Sequence, residues 1–318
     1  MVEKYYASIR NRIYGNSVEW DEAATLINKL NISNMGVISL FIFNVSLTCF
    51  AAELVREYPN LTVDVSQVDE TLLIDVGGRI WTLPNNGGQA IQITQNTHDL
   101  SQPRLSWDGT KILVNANSTE SMTTMLVDLA TNELYPLITA NMNTQDAAWH
   151  PDGERVIYAS RNHEHQLDIW EVDLLTGLTW RLTNNPDDDS SPVWSQNGRH
   201  LAWIRKMNDR YSLILRRHSE ADKVVLESDL RISSLSWRPD NSLISFLRHH
   251  ENKVTLDMVI LSDPTVIKTL DREDKLVTAP VSWINRMTMF YTADGTIRSR
   301  HFGDRYSRKI HFRALIVE

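Results

Sequence analysis

A polar turn set between two apolar strands recurs about every 44 residues in this chain, and that recurrence narrows the possible folds more than any other feature. An apolar anchor ends one strand, a turn rich in Pro, Asp, Asn and Gly follows, and a second apolar strand begins. The anchors are Val65, Leu105, Trp149, Trp194, Trp237 and Trp283, separated by 40, 44, 45, 43 and 46 residues. Such a period marks supersecondary units that bury their apolar faces only by stacking on one another. In the third unit, Trp149-His150-Pro151-Asp152-Gly153 ends a strand in a tight turn. Pro151 presets the turn backbone and Gly153 supplies positive φ. Arg155–Ala159, the alternating Leu167–Asp173 and Leu178–Thr183 then read as three more strands. The fifth unit carries Asn241 in place of the turn glycine, a residue that tolerates the left-handed conformation. The first unit, Val65-Ser66-Gln67-Val68-Asp69, has no turn glycine, and terminal repeats often depart from the pattern. Six units of four strands predict an all-β fold: a six-bladed β-propeller of four-stranded antiparallel blades, with the Trp anchors packed between blades. Closing the ring calls for a strand from one terminus to complete the blade begun by the other. The candidates are 60–64 and 309–315, expected in the same blade or in adjacent ones.

The first 52 residues do not follow this period. Met35 to Ala52 is an apolar run followed at once by polar residues, about as long as the core of a secretory signal. It reads as a cleaved signal with the cut before Ala52, as an uncleaved anchor, or as a buried segment. Residues 1–34 are long and mixed for a signal's leading region. A start at Met35 would explain that, and so would an amphipathic helix over 18–30 capped by Ser17. The expected organisation is therefore a helical or signal-like extension over 1–52 and a propeller over 53–318. A signal would place the propeller in the periplasm or outside the cell. Cys49 is the sole cysteine, so neither an intramolecular disulfide nor a cysteine zinc site is available.

Composition removes other classes. Hydrophobic residues at 42% and charged residues at 23% are ordinary for a globular chain, which excludes disorder, collagen and a polytopic membrane protein. With 32 basic against 40 acidic residues and no basic block, nucleic acid is not an expected partner.

Pro151-Asp152-Gly153, Asp168-Ile169-Trp170, Arg181-Leu182-Thr183 and the stretch Asp189 to Ser195 resemble the repeat of TolB-type propellers across roughly residues 60 to 315. That resemblance implies architecture rather than one activity, because the repeat accompanies envelope proteins and peptidases alike. Val63-Asp64-Val65-Ser66, the run Leu73 to Pro84 and Gly87-Gly88 resemble the first blade of the propeller that precedes the metal-dependent barrel of bacterial amidohydrolase-related proteins. The tail from Tyr291 to Ala314 is similar to the segment leading into that barrel, which is not expected within a chain ending at Glu318.

The residues offer little catalytic chemistry. His163-Glu164-His165 has the spacing of a metal-binding pair but falls in a polar hairpin, as does His249-His250, so both read as solvated loops. No Gly-x-Ser-x-Gly elbow and no P-loop is present. No catalytic residue, cofactor or metal is expected. The polar feature of interest is Pro186-Asp187-Asp188-Asp189-Ser190-Ser191, in a loop leading from one blade's outer strand to the next blade's inner strand. Such loops gather at the channel mouth, where carboxylates can take a hard cation or a ligand, or simply form turns. With His98-Asp99 and Thr144-Gln145-Asp146 in equivalent loops, the expected ligand- or partner-binding residues are Asp99, Asp146, Asp187, Asp188, Asp189 and Ser190. One face of the channel should then be acidic and rich in hydroxyls, suited to a basic partner. Three functions stay open: a non-catalytic binding and scaffolding module that is the propeller part of an amidohydrolase-related protein lacking its metal-dependent barrel, its partner a protein or a separately encoded catalytic domain; a stand-alone TolB-like protein-interaction module of the envelope; and a hydrolase or lyase using channel residues. Stable membrane insertion is not expected apart from a signal or anchor at 35–52.

Overall fold

The computed structural model describes residues 53–54 and 60–316, except 95–98, 118–121, 139–143, 162–165, 219, 263–264 and 272–274. The expected helix over 18–30, the signal-like run 35–52, His98 and His163-Glu164-His165 lie outside the described residues. Among the described residues, six four-stranded antiparallel sheets follow one another along the chain. Blades 1 to 6 span 63–92, 99–136, 144–181, 188–228, 232–271 and 282–310. In blade 3 the order is Thr144–Trp149 inside, then Arg155–Arg161, Leu167–Asp173 and Thr179–Arg181 at the rim, which reproduces the strands read from the repeat.

Local chemistry fixes each turn. In blades 2 and 4 a serine after the anchor holds the loop from both sides. The Ser106 hydroxyl donates to Asp108 Oδ1 at 2.6 Å and accepts from the Lys111 amide at 2.9 Å, while Ser195 does the same with Asn197 and His200 at 2.8 and 2.9 Å. Where the turn glycine is replaced, another residue takes the left-handed conformation: Asn241 at φ 59° in blade 5 and Glu70 at φ 63° in blade 1.

The core is divided by seam rather than by blade. Six apolar clusters each join residues of two neighbouring blades, and the series closes on itself with Leu61, Val63 and Ile74 of the first repeat against Phe290, Ile297 and Ile310 of blade 6. A lone blade would leave both faces wet, so stacking around a ring is what buries them. The Trp anchors pack in these seams, and their indoles cross them too. Trp149 Nε1 donates to the Arg104 carbonyl at 2.8 Å and Trp237 Nε1 to the Val193 carbonyl at 3.2 Å, in each case the residue before the preceding blade's anchor. Trp283 reaches the equivalent carbonyl of Ser236 through the Ser245 hydroxyl, and Trp194 bonds Glu171 Oε1 at 2.8 Å.

Closure differs from the expectation. Among the described residues each blade is one contiguous stretch, so no terminal strand completes the other end's blade. Val63–Val65 is the inner strand of blade 1 and Arg308–Ile310 the outer strand of blade 6, which places the two candidate segments in adjacent blades. The ends meet instead at the rim, where Phe312–Arg313 runs parallel to Gly88–Gln89, and Leu315–Ile316 pairs with Glu53–Leu54. Gly87, at φ 97°, permits this clasp, since a Cβ there would stand 2.3 Å from the His311 carbonyl oxygen.

Candidate functional site: the central channel

The six inner strands surround a cavity of about 720 Å³. Four of them carry a bulge at the same place, where the ladder register jumps across residues 101/104, 145/148, 190/193 and 233/236. One residue in each bulge, three positions before the anchor, is left-handed without being glycine: Gln102 at φ 53°, Asp146 at 54°, Ser191 at 50° and Ser234 at 60°. Blade 6 has Pro280 at this position, whose ring holds φ negative. A bulge re-aims side chains, and left-handed non-glycine residues cost of order 1–3 kcal/mol each unless their surroundings hold them there. All four bulge residues face the cavity.

Carboxylates from the preceding blade hold two of the bulges. The Gln102 amide donates to Asp75 Oδ2 at 2.9 Å, and the Ser191 amide and hydroxyl both donate to Asp146 Oδ2 at 3.0 Å. Asp75 also accepts from the Thr62 amide and hydroxyl, at 2.5 and 2.9 Å. Burial pushes its pKa up to about 6 against the opposing pull of these donors.

The expected site residues do not form one cluster. Asp146, Asp188 and Ser190 line the cavity; Asp99 and Asp187 do not. The exposed Asp99 lies over the turn of blade 1, where a Cβ at Gly78 would meet its Oδ1 at 2.6 Å. Asp189 is fully buried and clamps Arg205 through two bonds of 2.8 and 2.9 Å. Desolvation raises its pKa while Arg205 opposes the rise, so it braces blade 4 internally rather than facing a ligand. His249 and His250 are engaged by hydroxyls: His249 Nε2 lies 2.7 Å from Ser233 Oγ, and His250 Nε2 lies 3.2 Å from Thr255 Oγ1. Burial, then the charges of Arg231 and His250, hold His249 below the usual imidazole range.

The charged lining is not acidic. Asp64, Asp146 and Asp188 are matched in number by Arg104, Lys206 and Arg231, three cations that reading the acidic loop alone does not reveal. Aligning the repeats would have found part of this, because Arg231 and Asp188 both stand six residues before their anchors. The hydroxyl-rich character is present, in Ser190, Ser191, Ser233, Ser234 and Tyr211. Among the described residues no group of three or more His, Cys, Asp or Glu is placed to hold a metal ion.

Comparison with known proteins agrees with this architecture. Residues 79–283 match the TolB beta propeller domain, PD40. The TolB-type protein of Agrobacterium tumefaciens superposes with a TM-score of 0.60 at 14% identity, over 78% of this chain and 91% of that one. TolB from Acinetobacter baumannii gives 0.62 at 14% identity, over 78% of this chain and 62% of that one. Dipeptidyl-peptidase 5 of Porphyromonas gingivalis is 28% identical over an alignment of 157 residues that covers 44% of this chain but only 23% of the peptidase.

Proposed function

The chain belongs to the TolB β-propeller domain family, and on that premise we propose that it is a non-catalytic binding and scaffolding module of the cell envelope. The observation that carries the proposal is the channel itself: an open cavity of about 720 Å³ ringed by six inner strands, four of which hold strained bulge residues against it. Strain kept at equivalent positions of successive blades is characteristic of binding surfaces. A protein partner docks around the mouth through the exposed Asp146 and the part-exposed Asp188 and Ser190, with the exposed Asp99 and the part-exposed Asp187 outside the cavity lining. Asp189 contributes indirectly, by holding Arg205 behind that surface. The apolar run Met35–Ala52 supports a periplasmic or secreted location. The test is chemical cross-linking in cells, followed by purification of the full chain and of an Asp187→Lys/Asp188→Lys variant. The proposal expects one specific protein joined to the wild type and lost from the variant. Equal capture by both, or no specific partner, would count against it.

A second reading makes that partner a separately encoded catalytic domain. It is favoured by the amidohydrolase-like run from Val63 to Gly88. The neighbouring DNA decides: an open reading frame for a barrel with a His-x-His strand supports it, and unrelated genes on both sides oppose it.

A further inference from the structure

The carboxylates and the cations of the channel are engaged very differently. Asp64 accepts from the Leu105 amide at 2.8 Å and from the Ser282 hydroxyl, and lies 3.7 Å from Arg104. Asp146 takes both Ser191 donors. Asp188 accepts from the Leu167 amide at 2.9 Å and lies 3.9 Å from Arg161. Two of the three cations lack such partners. Among the described residues neither Lys206 nor Arg231 has a side-chain hydrogen bond or ion pair, and Lys206 meets only the Tyr211 ring, at 5.9 Å. Arg104 Nη2 is buried without an acceptor. The carboxylates are thus engaged, while Lys206 and Arg231, exposed to the cavity, are left to meet an anion.

We propose that the channel binds a small hydroxylated carboxylate, held by Lys206 and Arg231 on the wall formed by blades 4 and 5. Both cations are exposed to the cavity. Asp188 stands opposite Lys206 in the strand register and lies 3.9 Å from Arg161, so this corner keeps a net positive charge that draws an anion. A carboxylate monoanion meets less repulsion from Asp188 than a phosphate dianion does. The Arg231 guanidinium presents two parallel N–H groups that match a carboxylate's two oxygens. Tyr211, Ser233 and Ser234 add hydroxyls that both donate and accept, which suits ligand hydroxyls rather than a bare acid. The cavity volume is in the range of small-molecule sites, roughly 300–1,000 Å³. This site stands whether or not a protein docks at the mouth.

The test titrates the full chain with D-gluconate, following calorimetry and the fluorescence of the channel-lining tryptophans. Sorbitol serves as the neutral counterpart and inorganic phosphate as the second anion. The proposal expects saturable gluconate binding, with sorbitol and phosphate each weaker by about tenfold or more. Lys206→Met and Arg231→Gln should each weaken gluconate about tenfold with Tm unchanged, because a charged hydrogen bond is lost at an exposed position. Gluconate bound no more tightly than sorbitol, phosphate bound more tightly than gluconate, or variants retaining wild-type affinity would each overturn it.

Discussion

Replacing Gly87 by alanine should open the ring where its ends meet. The new Cβ would stand 2.3 Å from the His311 carbonyl oxygen, and the backbone there has φ 97°, which L residues rarely adopt. If the clasp holds, the strain is of order 1–3 kcal/mol. If it lifts, the bonds from Gly88 N to His311 O at 3.0 Å and from Ala90 N to Arg313 O at 2.8 Å are lost. Those bonds are worth about 1 kcal/mol each. Ala314, fully buried in the seam between blades 6 and 1, would then be uncovered. The cost is about 1–4 kcal/mol across the two routes, and a domain of this size loses about 2–4 °C of Tm per kcal/mol, so a fall of roughly 2–16 °C follows. Gly177→Ala is the control, since Gly177 has φ 70° in an exposed turn with nothing within 4 Å of a new Cβ. It should lose only the strain, about 1 kcal/mol. Thermal unfolding followed by circular dichroism compares the two, and a Gly87→Ala midpoint no lower than that of Gly177→Ala would refute the reasoning.

Other consequences are as direct. Burial raises the pKa of Asp75 to about 6, above its unfolded value, so its contribution to stability is present below about pH 4 and lost as pH rises through 6. That difference amounts to roughly 3 kcal/mol, and urea unfolding at pH 4.5 and 7 should show a steeper decline for wild type than for Asp75→Asn. Asp189→Asn leaves Arg205 without its buried partner and should cost about 3–5 kcal/mol, whereas Asp187→Asn should stay within about 0.5 kcal/mol; equal denaturant midpoints would contradict the internal role of Asp189. Trp149→Phe keeps the seam filled but loses the bond to the Arg104 carbonyl, about 1 kcal/mol, while Trp149→Ala should cost about 3–5 kcal/mol, both measurable by the same unfolding.

The repeat made the architecture legible because each anchor carries local information. The turn after it must reverse the chain within a few residues, and only certain residues can do that, so Gly109, Gly153 and Gly198 announce the hairpins and Asn241 serves in the same place at φ 59°. The Trp anchors were readable as seam residues because a large indole at fixed spacing needs a neighbouring face. The clasp was not readable, because parallel pairing of Phe312–Arg313 with Gly88–Gln89 joins segments over 220 residues apart and leaves no periodic trace. The channel was half visible. Asp187, Asp188 and Asp189 are consecutive, yet alternation along a strand turns Asp189 inward to Arg205 while Asp188 faces the cavity. Lys206 and Arg231 were not readable as a pair because they come from different blades and line one cavity only once blades 4 and 5 pack side by side.

Six contiguous blades close at the rim around a channel. A crystal structure of the full chain tests this most directly. It should show six sheets, with Arg308–Ile310 as the outer strand of the sixth and Phe312–Arg313 running parallel to Gly88–Gln89. A seventh sheet, or a strand from before residue 60 inserted as the outer strand of blade 6, would contradict it.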